Sequence, residues 1–303
     1  MFIFLKSLFW QIINNIVKIF LEIFIFNKRI RRIMKGDFAK FYLRKYCKDS
    51  QNKSCDNSIQ NEKPYKIWQY WEQGLENAPE IVHACLDSVQ RFNPNIERVI
   101  LSYDTIKEYV EIPEYIYKLK EKGIIKLAHF SDILRTYLLI EHGGCWIDAT
   151  VLMTAPLPQY IKDADLFMFQ ADEKADLDGL NMTSYFISTK PNNKVLLDAK
   201  SVFEKYWSEN NFLVNYFMFL HTVTMISKYN KDVWNKIPFY SFIPVQQMQS
   251  ELMRPYSKER FEQLKNTTPI HKLSYKPKVM GMKKNTEIEN TLYQAIIEGR
   301  IYE

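Results

Sequence analysis

"EHGGCWIDATV", residues 141–151, holds two of the chain's eight glycines and sets Asp148 inside an apolar run. A double glycine reaches the positive φ that ends a helix, so the segment before it, "LAHFSDILRTYLLIEHGG", reads as a helix. The segment after it, "CWIDATVLM", reads as a strand. An aspartate in such a strand must be paired, hydrogen-bonded or metal-bound, because burying a bare charge is costly.

Working outward, strands and helices alternate. "KIWQYW" (66–71) and "ERVILSYD" (97–104) are β-prone runs. Between them "NAPEIVHACLDSVQRFNP" predicts a helix with Asn77 as N-cap, Pro79 in the first turn and Glu80 at the capping-box position. "PEYIYKLKEKG" predicts another, stopped by Gly123. This alternation implies an α/β fold with a mostly parallel central sheet. Such sheets bind ligands beyond the carboxyl ends of their strands. That rim would carry Gln69 to Glu72, Ser102 to Asp104, and Asp148 to Thr150. Further on, "DLFMFQ" and "SYFIST" read as strands and "NNKVLLDAKSVFEKYW" as an amphipathic helix. "NFLVNYFMFLHTVTMISKY" is apolar nearly all round, as a buried helix would be. "TEIENTLYQAIIEG" predicts a last helix.

The chain has 303 residues and a net charge of +6. Residues 28–48 carry nine Lys and Arg against Asp37 alone, so the remainder is slightly acidic. A basic collar on a near-neutral body argues against nucleic acid as a partner and for a local anionic surface. Cys47, Cys55, Cys85 and Cys145 form no C-x-x-C pair, which fits a reducing cytoplasm. The opening "MFIFLKSLFWQIINNIVKIFLEIFIF" lacks a small-residue cleavage site. Lys6, Asn14, Asn15, Lys18 and Glu22 interrupt it, which makes a membrane span costly. Ser7, Gln11, Asn14, Asn15, Lys18 and Glu22 step by three or four along one stripe. A wide apolar face with a basic cluster behind it describes an interfacial helix, and residues 1–35 are expected at a membrane surface. The alternative is a helix docked on the protein's own core. The expected organisation is a membrane-associating segment 1–48, a polar linker 49–63 and one domain 64–303.

Asp132 and Arg135 are three apart on the predicted helix and share a face. They offer the bidentate polar partners a sugar ring needs, or form an ordinary helical ion pair. Asp148, with Thr150, offers oxygen ligands for a divalent cation holding a diphosphate, or simply caps a turn. His221 reads as a buried structural histidine.

The order S-D-x-x-R (131–135) followed by G-G-x-W-x-D-x-T (143–150) resembles the capsular polysaccharide synthesis glycosyltransferases. These are related to the DXD-containing sugar-binding-region enzymes of GT-A type. The similarity runs from "KIWQYWEQG" at residue 66 to about Leu152, with weaker pieces in "SYFISTKPNN" and "IHKLSYK". It leaves the basic opening segment outside. The resemblance implies a GT-A-like Rossmann-type nucleotide-sugar domain with helical C-terminal additions. It implies transfer of a sugar from a nucleoside-diphosphate sugar to a growing glycan, with retention of anomeric configuration. Asp148 matches the first Asp of the DXD element, where Thr150 replaces the second. Asp132 and Arg135 match the pair on the donor sugar, and Trp68, Gln69 and Tyr70 the first strand end near the nucleotide. His271 and Lys272 match an element that closes over the diphosphate. The expected metal ligands are therefore Asp148, Thr150 and His271, with Mn²⁺ or Mg²⁺ as cofactor. The expected substrate contacts include Ser102, Asp104 and Lys272. The acceptor is expected to be a lipid-linked glycan at the inner face of the plasma membrane. A sugar-phosphate transferase and a non-catalytic membrane-bound scaffold are the rival readings.

Overall fold

The computed structural model describes residues 2–50, 63–171, 180, 182–281 and 288–303. Most of the expected linker, Cys55 and the start of the last predicted helix lie outside them. Strand β1 (Lys66–Tyr70) is the centre of the fold, and Ile67 to Tyr70 are all buried. A run apolar on both faces belongs in the middle of a parallel sheet covered on both sides. Accordingly β1 pairs in parallel with β2 (Glu97–Leu101) and with β3 (Gly144–Ile147). The sheet continues through β6 (Met182–Thr189), antiparallel to β3, to β5 (Leu166–Gln170), giving the order β2-β1-β3-β6-β5. Only β6 opposes the other four.

One face of the sheet, with Trp68, Trp146 and Ile187, packs on helices α5 (Leu127–His142), α7 (Lys194–Glu209) and α8 (Met218–Tyr229). The other, with Ile67, Cys145, Ile147 and Phe186, meets Val89 of α3 (Glu80–Phe92) and Ile161 of α6 (Gln159–Asp163). Helix α4 (Glu114–Glu121) adds Ile116 and Tyr117 to the first core.

The two glycines do different work at the turn into β3. Gly143 has φ +65° and caps α5, donating its N–H to the Leu139 carbonyl. Gly144 has φ +87°, and a Cβ there would sit 2.2 Å from the Lys66 carbonyl oxygen. Only glycine lets β3 approach β1 this closely.

Several boundaries differ from the expectations. "CWIDATVLM" is not one strand. It breaks after Ile147, and β4 (Val151–Met153) pairs instead with β7 (Ile270–Lys272) in a separate two-stranded sheet. Asn77 does not cap α3. It ends a short 3₁₀ turn (Leu75–Asn77), and Pro79, which has no side-chain hydrogen bond to give, takes the cap position. The oily segment from Asn211 becomes helical only at Met218.

Helices α1 (Phe2–Phe24) and α2 (Lys28–Ser50) pack on α7 and α8. Leu43, Tyr46 and Cys47 of α2 are fully buried in the main core. Gly36 lets α2 approach His221 so closely that a Cβ would lie 2.8 Å from its ring. The side of α1 turned to the body is its polar stripe. Ser7 and Asn14 are buried, while Ile12, Ile16 and Ile19 are exposed.

Candidate functional site

The strand break delivers Asp148 to the rim. Its N–H donates to the Tyr185 carbonyl of β6 and its carbonyl accepts from Val151, forming the turn between β3 and β4. Trp146 lies two residues before Asp148, so it shares that face, and its indole N–H donates to Asp148 Oδ1 at 2.8 Å. Arg135 Nη2 approaches the same oxygen at 3.3 Å. Lys272 Nζ donates to Oδ2 at 3.1 Å and also to the Thr150 hydroxyl. Burial pushes the Asp148 carboxyl up. The charges of Lys272 and Arg135, with the Trp146 and Lys272 hydrogen bonds, outweigh it and hold the group below the usual carboxylate range. Asp148 is therefore an anion throughout the neutral range.

Arg135 is fixed from every side. Its guanidinium lies 3.2 Å from Asp132 Oδ1 and stacks over Trp146 at 4.8 Å. It donates to the Ser131 hydroxyl and carbonyl and to the Ser184 carbonyl. Asp132 also faces His129 Nδ1 at 3.7 Å. His129 Nε2 accepts from the Trp207 indole, which leaves the proton of a neutral ring on Nδ1, toward Asp132. Two carboxylates and two cations are thus gathered where β3 ends, and their charges balance.

The structure brings Asp132, Arg135, Asp148, Thr150 and Lys272 together, and leaves the remaining expected residues elsewhere. His271 is fully buried and bonds Thr154 at 3.1 Å. Alternation along β7 turns it away from Lys272, and burial pushes its imidazole down to about 3. It is not placed to share a cation with Asp148. Trp68 is a core residue whose indole donates to the Gly143 carbonyl at 2.9 Å. Gln69 is fully buried on the opposite face of β1, and its amide has no hydrogen-bond partner among the described residues. Tyr70 is buried beside them. Ser102 and Asp104 lie in the turn after β2, where Thr105 bonds the Ser102 backbone. Trp146, Ser131, His129 and Tyr185 are site residues that the motif reading passed over. Trp146 had a usable signal, because a spacing of two along a strand puts it beside Asp148.

Among the described residues no group of three or more His, Cys, Asp or Glu side chains comes together. One carboxylate and one hydroxyl fit a cation that arrives with substrate phosphates, as Mg²⁺ commonly binds, better than a cage built by protein alone.

The chain matches the family described as capsular polysaccharide synthesis protein over residues 20–296, and it belongs to that family. The match takes in all of α2, so the basic segment lies inside the family region, whereas the resemblance left it outside. No curated protein matches the chain. Among solved structures, one titled "PaToxG Glycosyltransferase" matches at 14% identity and a TM-score of 0.35, over 89% of this chain and 98% of that one.

Proposed function

We propose that the chain is a glycosyltransferase of capsule or surface-polysaccharide synthesis, moving a sugar from a nucleoside-diphosphate donor to a glycan acceptor on a GT-A-like scaffold. The observation that carries this is Asp148, held at the rim of a mostly parallel sheet between Arg135 and Lys272. Cleaving a sugar–diphosphate bond puts negative charge on the leaving group, and fixed cations aimed at that charge are the largest help a protein can give. Lys272, a fifth exposed, can turn from Asp148 to the diphosphate. Arg135 is bonded too completely to move, so it holds Asp132 and Asp148 in place for the sugar. Both carboxylates already face cations, so neither is free as a general base, which supports retention of configuration. A Mn²⁺ or Mg²⁺ bound with the donor would be held by Asp148 and Thr150, and would supply Lewis-acid stabilisation of the diphosphate. The acceptor in this reading is a polyprenyl-diphosphate-linked glycan at the inner face of the plasma membrane.

The test is a screen of nucleotide sugars with Mn²⁺ or Mg²⁺, scored by nucleoside-diphosphate release, on the parent and on Asp148→Asn. Release by the parent and loss in the variant are expected. A nucleoside monophosphate product would mean sugar-phosphate transfer instead. Failure of every donor to bind by calorimetry would favour a scaffold.

A further inference from the structure

Helix α1 is inside out for a helix on a protein surrounded by water. Leu5, Phe9, Ile12, Ile16, Phe20 and Ile23 are each half or more exposed along one side. The opposite side is anchored at intervals. The Ser7 hydroxyl donates to Asn211 Oδ1 at 2.9 Å and accepts from the Asn211 N–H. The Asn14 side chain, with its amide oriented to satisfy both ends, donates to the Val214 carbonyl and accepts from Lys18. Glu22 pairs with Arg31 and Lys35 of α2. A contiguous apolar face of this length marks an interaction surface.

We propose that α1 lies flat in the surface of an anionic lipid bilayer, its apolar face in the acyl boundary and its polar stripe fastened to the protein. By length and composition Leu5–Phe24 would also suffice to cross a membrane. Crossing would break anchors spread from Ser7 to Glu22, roughly 22 Å of helix, and would put Lys18 and Glu22 into hydrocarbon. Lying flat keeps every anchor. The apolar surface continues past the helix end into Phe26, 89% exposed, and Ile30. Exposed cations, among them Lys28 and Arg44, are carried by the adjoining helix α2. That charge complements anionic headgroups and does not favour a second copy of the same basic surface.

The same anchors hold the segment that leads into α8. The segment gripped by α1 and α2 includes Asn210, bonded by Tyr42, and Asn215, bonded to the Lys35 carbonyl. It leads directly into exposed Tyr216 and Phe217, whose rings pack edge to face.

The experiment is co-sedimentation of the full chain, bearing a cleavable N-terminal tag, with sealed vesicles of phosphatidylcholine alone or with a third phosphatidylglycerol. Binding should tighten roughly tenfold or more with the anionic lipid, and added protease should still remove the whole tag. Ile12→Glu with Ile16→Glu should abolish pelleting without lowering the melting temperature, because both side chains are exposed. Leu5→Glu with Ile23→Glu should do the same. A tag protected inside the vesicles overturns the flat geometry. Pelleting that survives both pairs removes α1 from the contact. A lipid-free dimer dissolved by the same pairs, with no vesicle binding, assigns the face to a second copy. Vesicle binding without nucleoside-diphosphate release from any donor leaves the docking standing and defeats the transfer reading.

Discussion

Replacing Lys272 with methionine keeps the aliphatic stem and removes the charge that faces Asp148. Lys272 Nζ is 3.1 Å from Asp148 Oδ2, and the two side chains are 21% and 25% exposed. Coulomb's law at that separation gives about 1–5 kcal/mol between the dielectric of water and that of a protein surface. Water still reaches both groups, and each loses hydration when they pair, so the net contribution belongs at the low end, about 1–2 kcal/mol. Asp148 in the variant keeps Arg135 and the Trp146 indole. Unfolding free energy should therefore fall by about 1–2 kcal/mol, not by the larger cost of a wholly stranded buried charge. Asp148→Asn should cost a similar amount, because it weakens the hold on both cations. The double variant should lose less than the sum, leaving a coupling of about 1 kcal/mol. Urea denaturation followed by tryptophan fluorescence supplies all three numbers. Nucleoside-diphosphate release should fall roughly 100- to 1000-fold in either single variant, the usual effect of removing one charge-stabilising group. Strictly additive stabilities would show that the two side chains do not meet. A Lys272→Met protein turning over within about threefold of the parent would remove Lys272 from the chemistry.

Gly144→Ala places a methyl 2.2 Å from the Lys66 carbonyl at φ +87°, and should cost more than about 3 kcal/mol; soluble protein with an unchanged melting temperature would contradict the β1–β3 contact. Gly36→Val should destabilise by about 1–3 kcal/mol by pressing on buried His221, and His221→Ala should recover part of that loss in thermal melts. Burial holds His221 down at about 4 and His271 at about 3, both below the ordinary histidine value. The unfolded chain therefore takes up protons below about pH 6.5 that the folded chain refuses. The stability from neutral histidines is complete above that pH and is lost as pH falls toward 4 and then 3. The loss by pH 5 is about 2 kcal/mol per histidine. Asp148, also held low, adds a loss only below about pH 4. Urea midpoints that do not fall between pH 7 and pH 5, or a slope that His271→Asn leaves unchanged, would contradict this.

The alternation of strands and helices was legible because each element carries its own period and its own stop. Gly143 ends α5 by its conformation alone, and the Asp132/Arg135 spacing makes those two neighbours on any helix. The break at Asp148 was not legible. Cys145 to Met153 stays apolar on both sides of the aspartate, and nothing local marks a change of partner. The change comes from residues more than a hundred positions away in β7, which claim Val151 to Met153. His271 was mislocated for a related reason. Reading His271 and Lys272 as one element ignores that neighbours in a strand face opposite sides, and the strand shows itself only through its pairing with β4. The pattern on α1 was plain, but periodicity defines faces and not what covers them. The anchors at Ser7 and Asn14, with buried Leu21 between them and the helix end, show which face meets the protein.

The two segments that carried the family resemblance prove to be one physical unit. Trp68 of "KIWQYW" ties its indole to the Gly143 carbonyl, and the Lys66 carbonyl fills the space beside Gly144 where a side chain would otherwise stand. These two contacts set the spacing and height of β3 against β1. Asp148 follows four residues after Gly144, and its position under Arg135 is inherited from that registration. A tryptophan deep in the core can therefore govern the site without touching a substrate. Trp68→Phe keeps a benzene ring but loses the pyrrole half and the bond to Gly143, so it should cost about 1–3 kcal/mol of stability and shift Asp148 slightly. Its expected signature is turnover of the folded protein, assayed well below its melting temperature, reduced roughly tenfold or more, since small misplacements of a reacting group are costly. Parental turnover in the folded variant would reduce Trp68 to core packing alone.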